Sequence, residues 1–174
     1  TKMAGIKFNL LEVDLTTRTH RVIDVTEEVR KYLGARGLAN KLIWENVPQG
    51  SDPLGPLNIL HVGVGPVTGL MGTKTILSFI SPLTGWAGRG SVSGDIGDEI
   101  MRAQYNAGIM IKGKASKPVY LYIYDDKVEI RDAAELWGKW KQKTETDLRN
   151  KLKTETGEMF SVLCIGPAGE NLVR

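Results

Sequence analysis

Three glycine-rich stretches of this sequence follow directly on runs that read as strands, at 63–72, 85–97 and 166–169. Glycine lets backbone N–H groups converge on a ligand. Where such a loop opens a helix, those donors lie at the positive end of the helix dipole, which suits phosphate. Residues 85–97 fit that description, with Ser91, Ser93 and Gly94 ahead of Ile96, Ile100, Ala103 and Tyr105 at helical spacing through Asn106. The competing explanation is that these glycines only permit tight turns. The stretch Gly63-Val64-Gly65-Pro66-Val67-Thr68-Gly69 is no dinucleotide fingerprint, because its third glycine is misplaced and no helical pattern follows. It also lacks the lysine–serine or lysine–threonine ending of a P-loop. Asp95, Asp98 and Glu99 could act as acids or bases, although acids in a first helical turn also simply serve the dipole.

Other reactive side chains are sparse. Cys164 is the one cysteine in 174 residues, so no internal disulfide can form, and neither a four-cysteine iron–sulfur site nor a zinc ribbon can close within the chain. It sits in an apolar run, which suits a buried core thiol better than a nucleophile. His20 and His61 stand far apart in strand-like segments and read as structural or surface histidines, with no metal assigned to either. These residues cannot make a complete metalloenzyme alone. A start at Thr1 and an end at Arg174, just after a strand-like run and a turn, read as a fragment or a processed product.

The elements that must position the glycine-rich stretches are legible from periodicity. Residues 11–15 and 19–25 alternate apolar and polar around Thr16-Thr17-Arg18 and predict a hairpin. Thr26 is placed to cap a helix with Glu27 and Glu28 in its first turn and Gly34 as its stop. A second helix is expected over 38–46. Strands are expected over 59–64, 75–80, 109–111 and 160–165. The stretches 119–124 and 127–131, joined by Asp125-Asp126, predict a two-residue hairpin, and Leu148 and Leu152 mark a further helix. Two strands run into matching turns, Gly65-Pro66-Val67-Thr68-Gly69 and Ser81-Pro82-Leu83-Thr84-Gly85, which suggests equivalent strand-to-turn units. The fold class is therefore α+β, with mixed β-sheets, pseudo-duplicated strand-turn units and a few short helices. No linker divides the chain, so residues 1–174 are expected to form a single domain.

Composition narrows the partners. With 41% hydrophobic and 25% charged residues the chain is expected to bury a core. The net charge of +3 comes from 23 basic and 20 acidic residues interspersed along the sequence, and the tryptophans form no stacking platform, which argues against nucleic acid. No apolar run approaches the roughly 20 residues that span a bilayer, and the N-terminus shows no signal-peptide pattern, so a cytoplasmic location is expected.

The ordered set of motifs resembles the N-terminal domain of the aldehyde ferredoxin oxidoreductase family of tungsten enzymes. It comprises Val13-Asp14-Leu15-Thr16-Thr17, Tyr32-Leu33-Gly34-Ala35-Arg36-Gly37-Leu38-Ala39, Asp52-Pro53-Leu54, both Pro-x-Thr-Gly turns and Gly113-Lys114-Ala115-Ser116-Lys117-Pro118-Val119-Tyr120. Val128-Glu129-Ile130-Arg131-Asp132-Ala133, Leu136-Trp137-Gly138-Lys139 and Ile165-Gly166-Pro167-Ala168-Gly169-Glu170-Asn171 complete it. The resemblance implies a base for a tungsten bis-pterin cofactor with magnesium, with a [4Fe–4S] cluster supplied by later domains or a second subunit. It implies oxidation of aldehydes to acids with ferredoxin as electron acceptor, and leaves a homo-oligomer open. By the same resemblance, Lys74 stands in the place of a family arginine that approaches pterin and cluster, at the end of a shortened loop. Ser91 stands where the family has an asparagine associated with the magnesium, so Lys74, Ser91, Ser93 and Gly94 are the implied cofactor-binding residues. These departures also fit a second reading, a diverged cofactor-free binding or assembly module of the same fold.

Overall fold

The computed structural model describes residues 5–70 and 74–173. The expected hairpin is present as β1 (Asn9–Asp14) and β2 (Thr19–Asp24). The Asp14 carboxylate closes its turn by accepting the N–H groups of Thr16 at 2.9 Å and Thr17 at 3.2 Å. Helix α1 (Thr26–Tyr32) begins with Thr26 as its first residue and not as its cap. The cap position falls on Val25, which offers no side-chain hydrogen bond; Asp24 before it accepts the Thr26 N–H at 3.0 Å, while the Thr26 hydroxyl accepts from the Phe8 N–H at 2.9 Å. The helix stops on Leu33 at φ 64°, one residue before the expected Gly34, and α2 (Ala35–Asn46) starts three residues earlier than its apolar pattern suggests. A stop and a start share this short junction, so the periodicity alone blurs both.

The chain continues through β3 (Ile59–Gly63), β4 (Lys74–Ile80), β5 (Ala87–Ser93), α3 (Ile96–Arg102) and β6 (Gly108–Lys112). Then come β7 (Val119–Tyr124), β8 (Lys127–Asp132), α4 (Lys141–Thr156) and the single turn α5 (Pro167–Glu170). Six strands form one mixed sheet in the order β2-β1-β6-β3-β4-β5, in which β1 and β6 run parallel and the other neighbours antiparallel. The hairpin β7–β8 forms a second, two-stranded sheet with the expected Asp125-Asp126 connection. This is the mixed α+β architecture that the pattern predicts.

Both faces of the sheet are covered at the central strands β1, β6 and β3, which explains why β3 and β6 read as short apolar runs and why β1 buries Leu10, Leu11 and Val13 despite its alternating sequence. On one face Leu10, Ile59 and Met110 pack against Val29 of α1 and Leu38, Leu42 and Ile43 of α2. On the other, Leu11, Val13, Val62 and Ile109 meet Ile100 of α3, Tyr105 and Val128 of the small sheet. Each such side chain contributes about 1.5–3 kcal/mol on full burial. A third cluster of Tyr122, Leu136, Leu148 and Leu152 seats α4 on β7–β8. The expected last strand over 160–165 is not formed. Phe160 and Val162 pack against this third cluster, and the Phe160 ring lies 5.5 Å from that of Tyr122, so the apolar pattern is satisfied without a ladder. Cys164 in the same segment is half-buried and not in the core.

His61, at the middle of β3, is wholly buried. Its Nε2 lies 3.1 Å from the Ala107 carbonyl, which can only accept, so Nε2 carries the proton and Nδ1 is left an acceptor with no partner. Burial holds the imidazolium down to about pH 4. The unfolded chain takes up this proton near pH 6.5 and the folded chain only near 4, so the stabilisation is complete above 6.5 and lost on acidification between those values. We expect about 3 kcal/mol of stability to disappear across that window by linkage. Denaturant unfolding at pH 7.5 and 4.5 measures it, and His61→Gln should flatten the difference.

Candidate functional site

The two Pro-x-Thr-Gly turns are alike in sequence but close differently, although each uses its threonine hydroxyl to hold a nearby backbone N–H. In the first, the Thr68 N–H donates to the Gly65 carbonyl at 3.0 Å and the Thr68 hydroxyl accepts the Gly65 N–H at 2.9 Å. In the second, the Gly85 N–H donates to the Ser81 carbonyl at 2.8 Å and the Thr84 hydroxyl accepts the Trp86 N–H at 3.3 Å. Gly69 and Gly85 leave the turns at φ 83° and 70°, which only glycine adopts without cost. The strands that lead into them are antiparallel, with His61 opposite Ser78, so the two turns stand at opposite ends of the sheet. They do not converge on one ligand.

Residues 85–97, expected as a loop opening a helix, are mostly strand. β5 occupies Ala87–Ser93 at the sheet edge, pairing with β4 over its whole length. The serines and glycines alternate, so the small residues serve the pleat. Ala87, Arg89, Ser91 and Ser93 are exposed on one face while Gly88, Gly90 and Val92 alternate onto the other. Gly94 at φ 112° then turns the chain toward α3, which has seven residues and leaves little room for a phosphate cradle at its start.

The strand nevertheless brings the expected residues together. Lys74 is paired with Ser93, Ile76 with Ser91 and Ser78 with Arg89, and cross-strand partners share a face. Lys74, Ser93 and Ser91 therefore line one exposed strip, with Arg89 continuing it. The loop between Leu70 and Lys74 that carries the shortened segment lies outside the described residues, while Lys74 itself is the first residue of β4 and exposed. Arg89 is a residue that the sequence reading passed over. Its signal was the single cation in an otherwise small, neutral strand, visible only once the period of two replaced the loop reading. Arg89 and Lys74 enter no ion pair among the described residues.

The same end of the sheet holds the start of α2. Gly63 pairs with Ile76, so the close of β3 lies beside the beginning of β4, and the Ala35 N–H donates to the Val64 carbonyl at 3.1 Å. The junction is strained, with Leu33 at φ 64° and Ala35 at φ 38°, and such backbone persists where surrounding structure fixes it. Arg36, exposed in the first turn of α2, is a third cation at this end of the sheet. The arrangement offers ammonium, guanidinium and hydroxyl donors and suits an anionic, phosphate-bearing group. No set of three or more His, Cys, Asp or Glu side chains that could hold a metal occurs among the described residues. A metal ion at this face would need its ligands from an organic cofactor or from elsewhere in a larger protein.

This mixed α+β fold recurs as one part of a larger solved chain. It superposes with TM-score 0.81 and 33% identity on a chain of the active-site complex BamBC of benzoyl coenzyme A reductase bound to 1,5-dienoyl-CoA, covering 87% of this chain and 24% of that one. Residues 10–174 match the model of the aldehyde ferredoxin oxidoreductase N-terminal domain, and the chain belongs to that family. It is 41% identical to a tungsten-containing aldehyde ferredoxin oxidoreductase of Pyrococcus furiosus and 40% identical to one of Thermococcus kodakarensis, over 99% of its own length in each case. It is also 36% identical to the WOR-like subunit of an aliphatic sulfonate oxidoreductase of Pyrococcus furiosus over 95% of its length. The chain spans 28% of the length of each of these relatives.

Proposed function

We propose that this chain is the cofactor-facing N-terminal domain of a tungstopterin-dependent oxidoreductase that converts aldehydes to carboxylic acids and passes the electrons to ferredoxin. The observation that carries this reading is similarity over nearly the whole chain to enzymes named for that chemistry, supported by a strip of exposed donors along β4 and β5. In the net reaction an aldehyde and one water yield an acid, two protons and two electrons, the latter taken singly by two ferredoxins. Bound tungsten pterin supplies the redox chemistry.

This chain's part is binding and orientation. Lys74 and Arg89 meet negative charge, Ser91 and Ser93 donate hydroxyl hydrogen bonds, and Gly94 allows the backbone to leave the strip without a side chain in the way. Ser91 reaches less far than an asparagine and offers no amide carbonyl, so it would bind magnesium through water or leave the ion to other residues. Lys74 neutralises charge as a point and lacks the planar fork of arginine. The cysteines of a [4Fe–4S] cluster, the aldehyde pocket and the ferredoxin contact would belong to the other domains or a second subunit, working in the cytoplasm. Among the described residues no helix is long and apolar enough to cross a membrane.

The intact protein, purified without oxygen, should reduce ferredoxin when given aldehydes and not when given the corresponding acids. A panel that also contains aliphatic sulfonates distinguishes the chemistry named for the third relative. Reduction with sulfonates alone would reassign the substrate, and no reduction with either would refute the activity.

A further inference from the structure

A second feature lies away from the donor strip, where the end of α3 meets β1, β2 and the β7–β8 turn. A depression of about 400 Å³ is lined there by Asn9, Val22, Arg102, Tyr105, Asp125 and Asp126, with Ala103 and Gln104 at its floor and rim. Its charged groups are two carboxylates and one guanidinium. Asp125 and Asp126 are exposed and enter no ion pair among the described residues. The one cation at the rim, Arg102, is engaged with Glu99 at 2.7 Å. The amide nitrogen of Asn9 donates to the Gln104 carbonyl at 3.4 Å, and its oxygen accepts from no backbone group here.

Tyr105 is the independent observation. Only 5% of it is exposed, its ring belongs to the core against the sheet, and it still lines the depression. Its hydroxyl makes no hydrogen bond to another of the described residues, and burial together with the nearby Asp126 carboxylate pushes its ionisation above the ordinary tyrosine range. The Tyr105 ring is thus fixed in the core while its hydroxyl opens onto the depression, beside two carboxylates that no protein cation pairs among the described residues. Two carboxylates fall short of the ligand set a divalent metal requires, and no qualifying metal cluster occurs among the described residues. Val22 and Ala103 supply an apolar wall beside the acceptors.

We propose that this depression binds an alkyl guanidinium or alkyl ammonium group, its stem along Val22 and Ala103, its charge between Asp125 and Asp126, and one N–H donated to the Tyr105 hydroxyl. Two sources carry that chemistry, a basic side chain of another segment of the protein and a free small amine.

Calorimetric titration of the intact protein with agmatine at low salt tests the free source. Saturable binding should weaken at least about tenfold in Asp126→Asn and several-fold in Tyr105→Phe, the size expected for a charge pair and one hydrogen bond. Glu27→Gln, a surface carboxylate on α1 paired only with Arg30, should leave it unchanged. Carbodiimide cross-linking mapped by mass spectrometry tests the other source, since a resident lysine would couple to Asp125 or Asp126. Agmatine binding that survives Asp126→Asn overturns the proposal. So does a protein that neither binds agmatine saturably nor cross-links through either aspartate.

Discussion

Gly108→Ala should cost about 4 kcal/mol of stability, more than any substitution at the donor strip. Gly108 opens β6, the strand between β1 and β3, at φ 95°. A side chain there is penalised twice. The backbone conformation is one that L residues rarely adopt, and the added carbon would overlap the Val62 carbonyl oxygen while standing 3.1 Å from both the Gly63 Cα and the His61 Nε2. None of these neighbours is the free end of a flexible chain. His61 is fixed by its contact with Ala107, and Val62 is held in the ladder between β3 and β6. Denaturant unfolding measures the loss. By contrast Gly50→Ala, also at positive φ but in open space, should lose only about 1 kcal/mol. Equal losses at the two positions would show that the contacts around Gly108 are unimportant.

Lys74→Glu should reduce the tungsten and pterin recovered with the intact protein at least about tenfold, because it replaces attraction with repulsion at one end of the donor strip. Lys74 is exposed at a strand end, so the fold should survive the change. Lys74→Arg should retain or improve occupancy, since a guanidinium grips phosphate with two hydrogen bonds. Lys117→Glu, a cation on the segment before β7 and away from the strip, serves as the control for net charge. Full occupancy in Lys74→Glu would remove this strip from the cofactor site.

The parts of the fold that the sequence revealed are those governed by local periodicity. The β1–β2 and β7–β8 hairpins announce themselves through alternation and short polar turns, and α4 through Leu148 and Leu152. Residues 85–97 misled because glycine and serine carry a loop composition. Their strand state is imposed by pairing with β4, a tertiary effect that no window of the sequence contains. The segment over 160–165 misled in the opposite sense, being rich in strand formers whose side chains are satisfied by the third core cluster. The paired turns show the same limit. Their sequences match, yet their hydrogen bonds differ and the antiparallel run of β3 against β4 separates them by the length of the sheet, and neither property is written in the turn residues.

The candidate residues fared differently from the element expected to hold them. Lys74, Ser91 and Ser93 fall on one face through the register of β4 and β5, whereas the expected carriers were the end of a shortened loop for Lys74 and a helix-opening loop for the serines. Arg89 joins them by the same register, and Arg36 stands on α2 near the end of the sheet where Lys74 begins β4. Their common feature is placement by strand pairing, which also explains why spacing along the sequence could not reveal them.

The account rests on the donor strip serving a tungsten pterin. The direct measurement is elemental analysis together with pterin analysis of the intact protein, purified under strict exclusion of oxygen from cells supplied with tungstate. About one tungsten and two pterins per chain are predicted from the bis-pterin reading. Protein that is folded, full-length and free of tungsten, molybdenum and pterin would contradict the account and favour the cofactor-free assembly module.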